Sequence, residues 1–118
     1  MTMKNNDIVR VELDTITIPN GGTTEVTIPW YLNGVIRTMV STINNTTNSV
    51  TATVAIKDEG DLTIYSVGSL AENTSTTTTD VDAYCAGQLT IGVTPSGDPG
   101  ASTMTVDLVI YADRTGRK

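Results

Sequence analysis

Two stretches near the C-terminus, Leu89 to Thr94 and Met104 to Tyr111, alternate apolar and polar residues with a period of two. This period is typical of β-strands, because successive side chains along a strand point to opposite faces of a sheet. Each strand therefore has one apolar face that a second layer must cover. Between them lies Pro95 to Ser102, a glycine- and proline-rich stretch that predicts a hairpin loop. The pair predicts a two-layer all-β fold.

The first part of the chain shows the same alternation with one interruption. The apolar parity changes between Leu13 and Ile16, which predicts an inserted residue, a β-bulge, near Asp14 and Thr15. The turn at 19–22 separates two short alternating runs and predicts a hairpin whose second strand ends at Pro29. Asn33-Gly34 predicts a further turn.

The middle of the chain contains one ambiguous segment and one clear hairpin. Val35 to Ile43 has apolar residues on both parities, which is typical of a strand buried on both faces but also fits a short helix. Its β-branched content favours a strand. Val50 to Lys57 and Leu62 to Ser66 flank an acidic turn and predict a hairpin.

The stretch Gly68 to Ala86 has low hydrophobicity and predicts a surface connection, with an edge strand through its threonines as an option. Seven or eight short strands with frequent turns are typical of an antiparallel β-sandwich, jelly-roll-like in pattern. We expect one domain over residues 8–113, an N-terminal arm over 1–7 and a basic C-terminal tail over 114–118.

Charge and composition exclude several classes of function. The formal net charge is -6, so neither nucleic acid nor an anionic membrane is an expected partner. The sequence has no apolar run of membrane-spanning length and no signal-peptide pattern, which predicts synthesis and folding in the cytoplasm. A single cysteine, Cys85, cannot form an internal disulfide and is expected to be a small buried side chain.

The sequence offers little catalytic chemistry. Histidine is absent, which removes the commonest general base and leaves Cys85 without an activating partner. The acidic residues at 58–61 and 80–82 fall in predicted turns, where carboxylates are usually solvated or cap backbone donors; a calcium site is the alternative. We therefore expect no enzyme activity and no cofactor.

Two features suggest contacts with other proteins. Trp30 and Tyr31 form the densest aromatic spot, expected at an interface or, for Trp30, in the core, with stacking on sugar rings as the alternative. Arg114, Arg117 and Lys118 place a cationic tail on an acidic body. Such a tail either docks on an acidic neighbour or stays solvated.

The threonine-rich strands, the run VTATVAIKDEGDLTIY at 50–65 and the ending QLTIGVTPSGDPGASTMTVDLVIYAD at 88–113 resemble small virion proteins of tailed bacteriophages. In particular the chain resembles the jelly-roll decoration, or cement, proteins of icosahedral heads. The resemblance implies a non-enzymatic protein, often a homotrimer, on the outer surface of the virion head. It also implies that the major capsid protein is the partner and that neighbouring capsid subunits are clamped together.

On this interpretation the two polar ends and the aromatic pair contact the shell. The expected interface residues are Met1, Thr2, Met3, Lys4, Asn5, Trp30, Tyr31, Arg114, Arg117 and Lys118. Many weak contacts repeated by symmetry would hold the protein by avidity. Two other functions stay open: a carbohydrate-binding β-sandwich module, and a tail or neck connector of the same kind of virus.

Overall fold

The structure is a computed structural model, and it describes residues 7–114. In this range the chain forms eight β-strands and no helix, hence no helix that could cross a membrane. The strands are β1 (Asp7–Glu12), β2 (Ile16–Ile18), β3 (Val26–Ile43), β4 (Ala52–Lys57), β5 (Thr63–Leu70), β6 (Thr74–Thr78), β7 (Ala83–Pro95) and β8 (Met104–Arg114). The predicted antiparallel β-sandwich is confirmed, although β3 and β7 are longer than expected, with 18 and 13 residues.

The longest strand, β3, belongs to both layers of the sandwich. Its residues 26–36 pair with β7, and its residues 34–43 pair with β8. The first layer therefore has the order β3-β7-β4-β5, and the second has β6-β3-β8 with β1 and β2 along the outer edge of β8. A register shift between Ile36 and Thr38 marks the place where β3 passes from one layer to the other.

Gly34 allows two backbones to approach at this crossing. It pairs with Cys85 on one side and with Arg114 on the other. A Cβ atom at this position would lie 2.1 Å from the carbonyl oxygen of Asp113, so no other residue type fits without moving β8. The predicted turn at Asn33-Gly34 was wrong, because this glycine serves close strand packing rather than chain reversal.

The predicted hairpin around residues 19–22 was also wrong. β2 pairs with β8 while the first part of β3 pairs with β7, so this turn connects the two layers. Nor does the strand end at Pro29, which lies inside β3 opposite Thr90. Among the described residues, β7 is the only partner of β3 over 26–33, so this proline sits on an open edge. There its missing N–H costs no ladder hydrogen bond.

The two strands that define the sequence pattern, β7 and β8, lie in different layers. β7 pairs with β3 and β4, whereas β8 pairs with β1, β2 and β3. The segment 96–103 is therefore an arch between layers, and the predicted hairpin loop was wrong. Alternation along a strand indicates which face is buried, and it does not identify the neighbouring strand.

Other local predictions are confirmed. Glu12 lies opposite Val109, and Ile16 lies opposite Val106. The chain thus advances four residues from β1 to β2 while β8 advances three, and this one extra residue is the expected bulge. The ambiguous segment 35–43 is strand. The hairpin of β4 with β5 forms, and the threonines of β6 form an edge strand on β3.

The apolar faces of the two layers meet in one aliphatic core. Ile36, Ile91 and Ile110 are among its fully buried side chains. Because the chain has no phenylalanine, isoleucine, valine, leucine and methionine fill this space. Each fully buried side chain of this kind contributes about 1.5–3 kcal/mol.

Candidate protein interface at the crossing end

Large exposed apolar side chains are concentrated at the end of the sandwich where β3 changes layers. They are Ile8, Tyr31, Leu62 and Tyr84, with 75%, 62%, 69% and 73% of their surface exposed. We call this region the crossing end and define it as residues 7–8, 31–37, 58–62, 82–88 and 113–114. Strand register brings distant parts of the sequence together here, since Ile8 pairs with Asp113, which pairs with Val35, which pairs with Tyr84.

The outer face of the β3–β7 pair carries both exposed tyrosines. Directly paired residues of an antiparallel sheet point to the same side. The face therefore combines Tyr31, Asn33 and Val35 of β3 with Gln88, Ala86 and Tyr84 of β7. Beside Tyr84 it contains an apolar depression of about 430 Å³, lined by Gly34, Val35, Tyr84, Cys85 and Ala86. A partner's apolar side chain would fit this depression.

A second depression, of about 320 Å³, opens on the other side of Tyr84. It exists because β4 ends at Lys57, opposite Thr90, so that in the described part of the chain β7 has no neighbour on this side over 83–89. Its lining combines an acidic rim with an apolar floor: Asp58, Glu59, Gly60, Ile64, Tyr84, Ala86 and Leu89. We call this second depression the Tyr84 slot.

The acidic turn beside the slot is held by its first residue. The carboxylate of Asp58 accepts hydrogen bonds from the N–H groups of Gly60 and Leu62, both at 2.9 Å. Glu59 is exposed and presents its charge at the rim. Within residues 7–114, no group of three or more acidic or cysteine side chains is placed to hold a metal ion.

Arg37 fixes the chain where it enters β7. Its guanidinium donates to Asp113 at 2.6 Å and to Asp82 at 2.8 Å, and its carbonyl oxygen accepts from the N–H of Val81. The hydrogen bond to Asp113, followed by that to Asp82, raises the pKa of Arg37 above its ordinary value. Asp82 is therefore part of the framework that positions Tyr84.

Cys85 forms part of the wall of the apolar depression. The side chain is buried, as expected, and its Sγ lies 3.4 Å from the carbonyl oxygen of Ala83. Burial raises the pKa of the thiol to about 11. At neutral pH it is therefore a protonated packing group rather than a nucleophile.

The predicted aromatic pair does not act as a unit, because consecutive strand residues face opposite sides. Tyr31 is exposed, and its hydroxyl accepts a hydrogen bond of 3.3 Å from Asn33 Nδ2. Trp30 points to the inner side of the layer, is half-buried and packs against the core. Of the pair, Tyr31 is thus the residue that the crossing end presents to solvent.

The first and last described residues, Asp7 and Arg114, lie in the same region. Arg114 is exposed, is the last residue of β8 and pairs with Asp7 and Gly34. The other predicted arm residues, Met1 to Asn5 together with Arg117 and Lys118, lie outside the described residues. Both terminal segments leave the described sandwich at neighbouring strands of the crossing end.

Of the four exposed apolar residues, the sequence singles out only Tyr31 as an expected interface residue. Tyr84 is among the aromatic residues that could anchor an interface or stack on a sugar, but it lies in a stretch of low hydrophobicity that predicts no strand. Ile8 has the opposite parity to Val9, Val11 and Leu13, which was the available signal for its exposure. Leu62 gives no such signal, because it is the first apolar residue after the acidic turn.

No family model matches the chain, and no curated protein sequence matches it. Among solved structures, the fold is similar to a chain of the capsid asymmetric unit of cyanophage Pam1. The TM-score is 0.66 at 15% identity, and the match covers 98% of this chain and 90% of that one. At this identity the likeness shows that this sandwich fold occurs in a phage capsid unit.

Two further likenesses are weaker. A chain of the disulfide-linked pili formed by Bacillus endospore appendages has a TM-score of 0.51 at 16% identity, covering 98% of this chain and 96% of that one. A chain of infectious bursal disease virus, strain Gx, has a TM-score of 0.50 at 7% identity, covering 98% of this chain. This chain spans 33% of that viral chain. These likenesses also concern the fold alone.

Proposed function

We propose that this chain is a non-enzymatic structural protein of a bacteriophage virion. It decorates the outer surface of an icosahedral head and clamps neighbouring subunits of the major capsid protein. The observation that carries the proposal is the end-to-end likeness to a chain of a cyanophage capsid unit, which covers 98% of one chain and 90% of the other.

The crossing end supplies suitable chemistry for adhesion to a protein surface. Tyr31 and Tyr84 offer large, rigid side chains that lose little conformational entropy on binding, and Ile8 and Leu62 add apolar area. An apolar depression beside Tyr84 gives a partner side chain a place to insert. Concentrated exposed apolar surface of this kind is typical of interaction sites.

The chain termini add to the same surface. Residues 1–6 and 115–118 continue from Asp7 and Arg114, which lie on paired strands at the crossing end. Contacts of these two polar segments with a shell would extend the contact area beyond the sandwich. Assembly as a homotrimer would multiply these contacts by symmetry and hold the protein by avidity.

The carbohydrate-binding alternative stacks sugar rings on aromatic side chains, with Trp30 as the residue to test. Trp30 is half-buried against the core, so a sugar would have to stack on the exposed rings of Tyr31 and Tyr84. We favour adhesion between proteins because of the end-to-end likeness to a chain of a capsid unit. A tail or neck connector would use the same crossing end, and particle imaging separates it from a head protein.

The test uses heads of the encoding virus that were assembled without this protein. Purified protein is mixed with them, the mixture is sedimented, and the particles are imaged by electron cryomicroscopy. We expect co-sedimentation and density at symmetry positions on the outer surface, with the crossing end toward the shell. Density confined to the tail or neck, or absence of the protein from purified virions by mass spectrometry, would contradict the proposal.

A further inference from the structure

We propose that the Tyr84 slot binds the C-terminal basic segment of a second copy of this chain, with Arg117 seated between the Tyr84 ring and the acidic rim. This contact would join copies to one another. It goes beyond the proposed function, because it can form and be measured without any shell.

The slot has the chemistry of a receptor for a long cationic side chain. Ile64 and Leu89 give an apolar floor for a methylene stem, and Asp58 and Glu59 give carboxylates for its charged head. The exposed ring of Tyr84 adds a π face, on which arginine in particular stacks. None of the basic residues that the structure describes lines the slot.

The basic residues of the described range are already engaged. Arg10 pairs with Glu12, Lys57 with Glu25, and Arg37 with two carboxylates. Arg114 also has an interaction partner. The basic residues that remain in the sequence are Lys4, Arg117 and Lys118, all in the terminal segments.

Chain length favours a second copy over the chain's own tail. Arg114 pairs with Gly34, and Gly34 pairs with Cys85, so the slot lies three strand spacings from β8. That separation is about 14 Å. Three residues, from Arg114 to Arg117, span at most about 11 Å when fully extended. Even fully stretched across β3 and β7, the backbone of the same chain would stop short of the slot and only the Arg117 side chain could enter it, whereas a neighbouring copy can approach the slot directly.

A contact between a tail and a slot joins two different surfaces, so it is heterologous. Such contacts form closed rings when the rotation between copies closes. Each ring would bury one slot and one tail per copy.

Sedimentation equilibrium of the purified full-length protein tests the contact. Glu59→Lys reverses charge at the rim, and the pair Arg117→Glu and Lys118→Glu reverses charge on the tail. We expect either change to raise the dissociation constant between copies about tenfold, and we expect the combined charge swap to restore it. Raising sodium chloride from about 0.05 to 0.5 M should weaken wild-type association, because the Debye length shortens.

Asp14→Lys is the matched control, because it makes the same charge change at an exposed site outside the crossing end. Asp58 is left unchanged, since its carboxylate holds the turn. Association that is identical in wild type and both reversed variants would overturn the proposal, as would a wild-type protein that stays monomeric at all concentrations. A third outcome would also overturn the proposal: both proteins sediment as monomers, and charge reversal lowers only the stability of the monomer. That result would place the tail in the slot of its own chain.

Discussion

The two ends of the sandwich differ in whether their side chains have partners within the chain. At the loop end, which comprises residues 19–25, 44–51, 71–73 and 96–103, polar groups bind one another. The carboxylate of Asp98 accepts from the N–H groups of Gly21 and Gly100, and Asn48 donates to the Asp98 carbonyl oxygen. At the crossing end, apolar side chains and an open strand edge face solvent. One end is completed by its own loops, and the other is suited to completion by a partner.

A second carboxylate contact, between Glu72 and Thr46, also holds the loop end. Thr46 is buried, and its N–H and hydroxyl groups both donate to the carboxylate of Glu72, the N–H at 2.9 Å. These two hydrogen bonds, the hydroxyl bond first, lower the pKa of Glu72. Hydrogen bonds of Asp98 to the N–H groups of Gly100 and Gly21 likewise lower its pKa. The loop end is therefore held by ionised carboxylates that accept from backbone donors.

The sharpest way to break the crossing end is Gly34→Ala. The new Cβ would meet the Asp113 carbonyl oxygen, so β3 and β8 would have to separate. We expect the free energy of unfolding to fall by about 3 kcal/mol or more, measured by urea denaturation. Gly87→Ala is the control, because its φ is +108° but no atom lies within 4 Å of the added Cβ. The strained φ alone should cost about 1–2 kcal/mol; equal losses in the two variants would refute the close-approach argument.

Removing the exposed tyrosines should separate binding from folding. In Tyr31→Ser combined with Tyr84→Ser, we expect retention on heads to fall by about 30-fold or more while the melting temperature stays within a few degrees. The measurement is co-sedimentation over a range of protein concentrations, with thermal unfolding in parallel. Tyr111→Ser removes a tyrosine of the other layer whose hydroxyl accepts from Arg10. Loss of retention in that control, to the same degree, would show that the tyrosine face has no special role.

Acid should loosen the loop end first. The pKa values of Asp98 and Glu72 lie below their ordinary values of 3.8 and 4.5, so the native state binds fewer protons than the unfolded state in this range. Their stabilisation is complete above about pH 5 and is lost as pH falls through the lowered pKa values. In Asp98→Asn we expect a lower melting temperature at pH 7 and a shallower decline between pH 5 and 3. Asp14→Asn, at an exposed site outside both ends, should follow wild type; a steeper decline in Asp98→Asn would contradict this account.

Cys85 provides the smallest expected effect. Because the thiol is buried and protonated at neutral pH, it acts as a small packing group. Cys85→Ala should change the free energy of unfolding by about 1 kcal/mol or less. Alkylation of the wild-type thiol by iodoacetamide should be slow at pH 8. Rapid alkylation at that pH would show that the thiol is reached from the apolar depression and is not a buried packing group.

The sequence pattern predicted the buried face of each strand better than it predicted which strands are neighbours. Alternation in β4, β7 and β8 identified each buried face correctly. The reason is that successive side chains along a strand point to opposite faces, so the local apolar and polar pattern shows which face is buried. The neighbour of each strand depends on packing across the whole domain. For that reason Asn33-Gly34 and the arch 96–103, both rich in turn residues, were interpreted as local reversals although they serve contacts between strands far apart in sequence.

The candidate interface was partly predictable for the same reason. Tyr31 and Arg114 were identified from residue type and position, and the structure brings them to one end of the molecule. Ile8, Leu62 and Tyr84 could not be placed with them, because that end is created by strand pairing between segments far apart in sequence, as in the pairing of Ile8 with Asp113. The open edge of β7 over 83–89 follows from the end of β4 at Lys57, opposite Thr90, and the sequence does not predict where β4 ends relative to β7.

Hydrogen exchange on the free and the shell-bound protein tests the central claim most directly. If the crossing end is the adhesive surface, amide exchange over 31–36 and 83–88 should slow on binding, while exchange over 19–22 and 96–102 stays as it is in the free protein. Slowed exchange at the loop end with an unchanged crossing end would contradict the account.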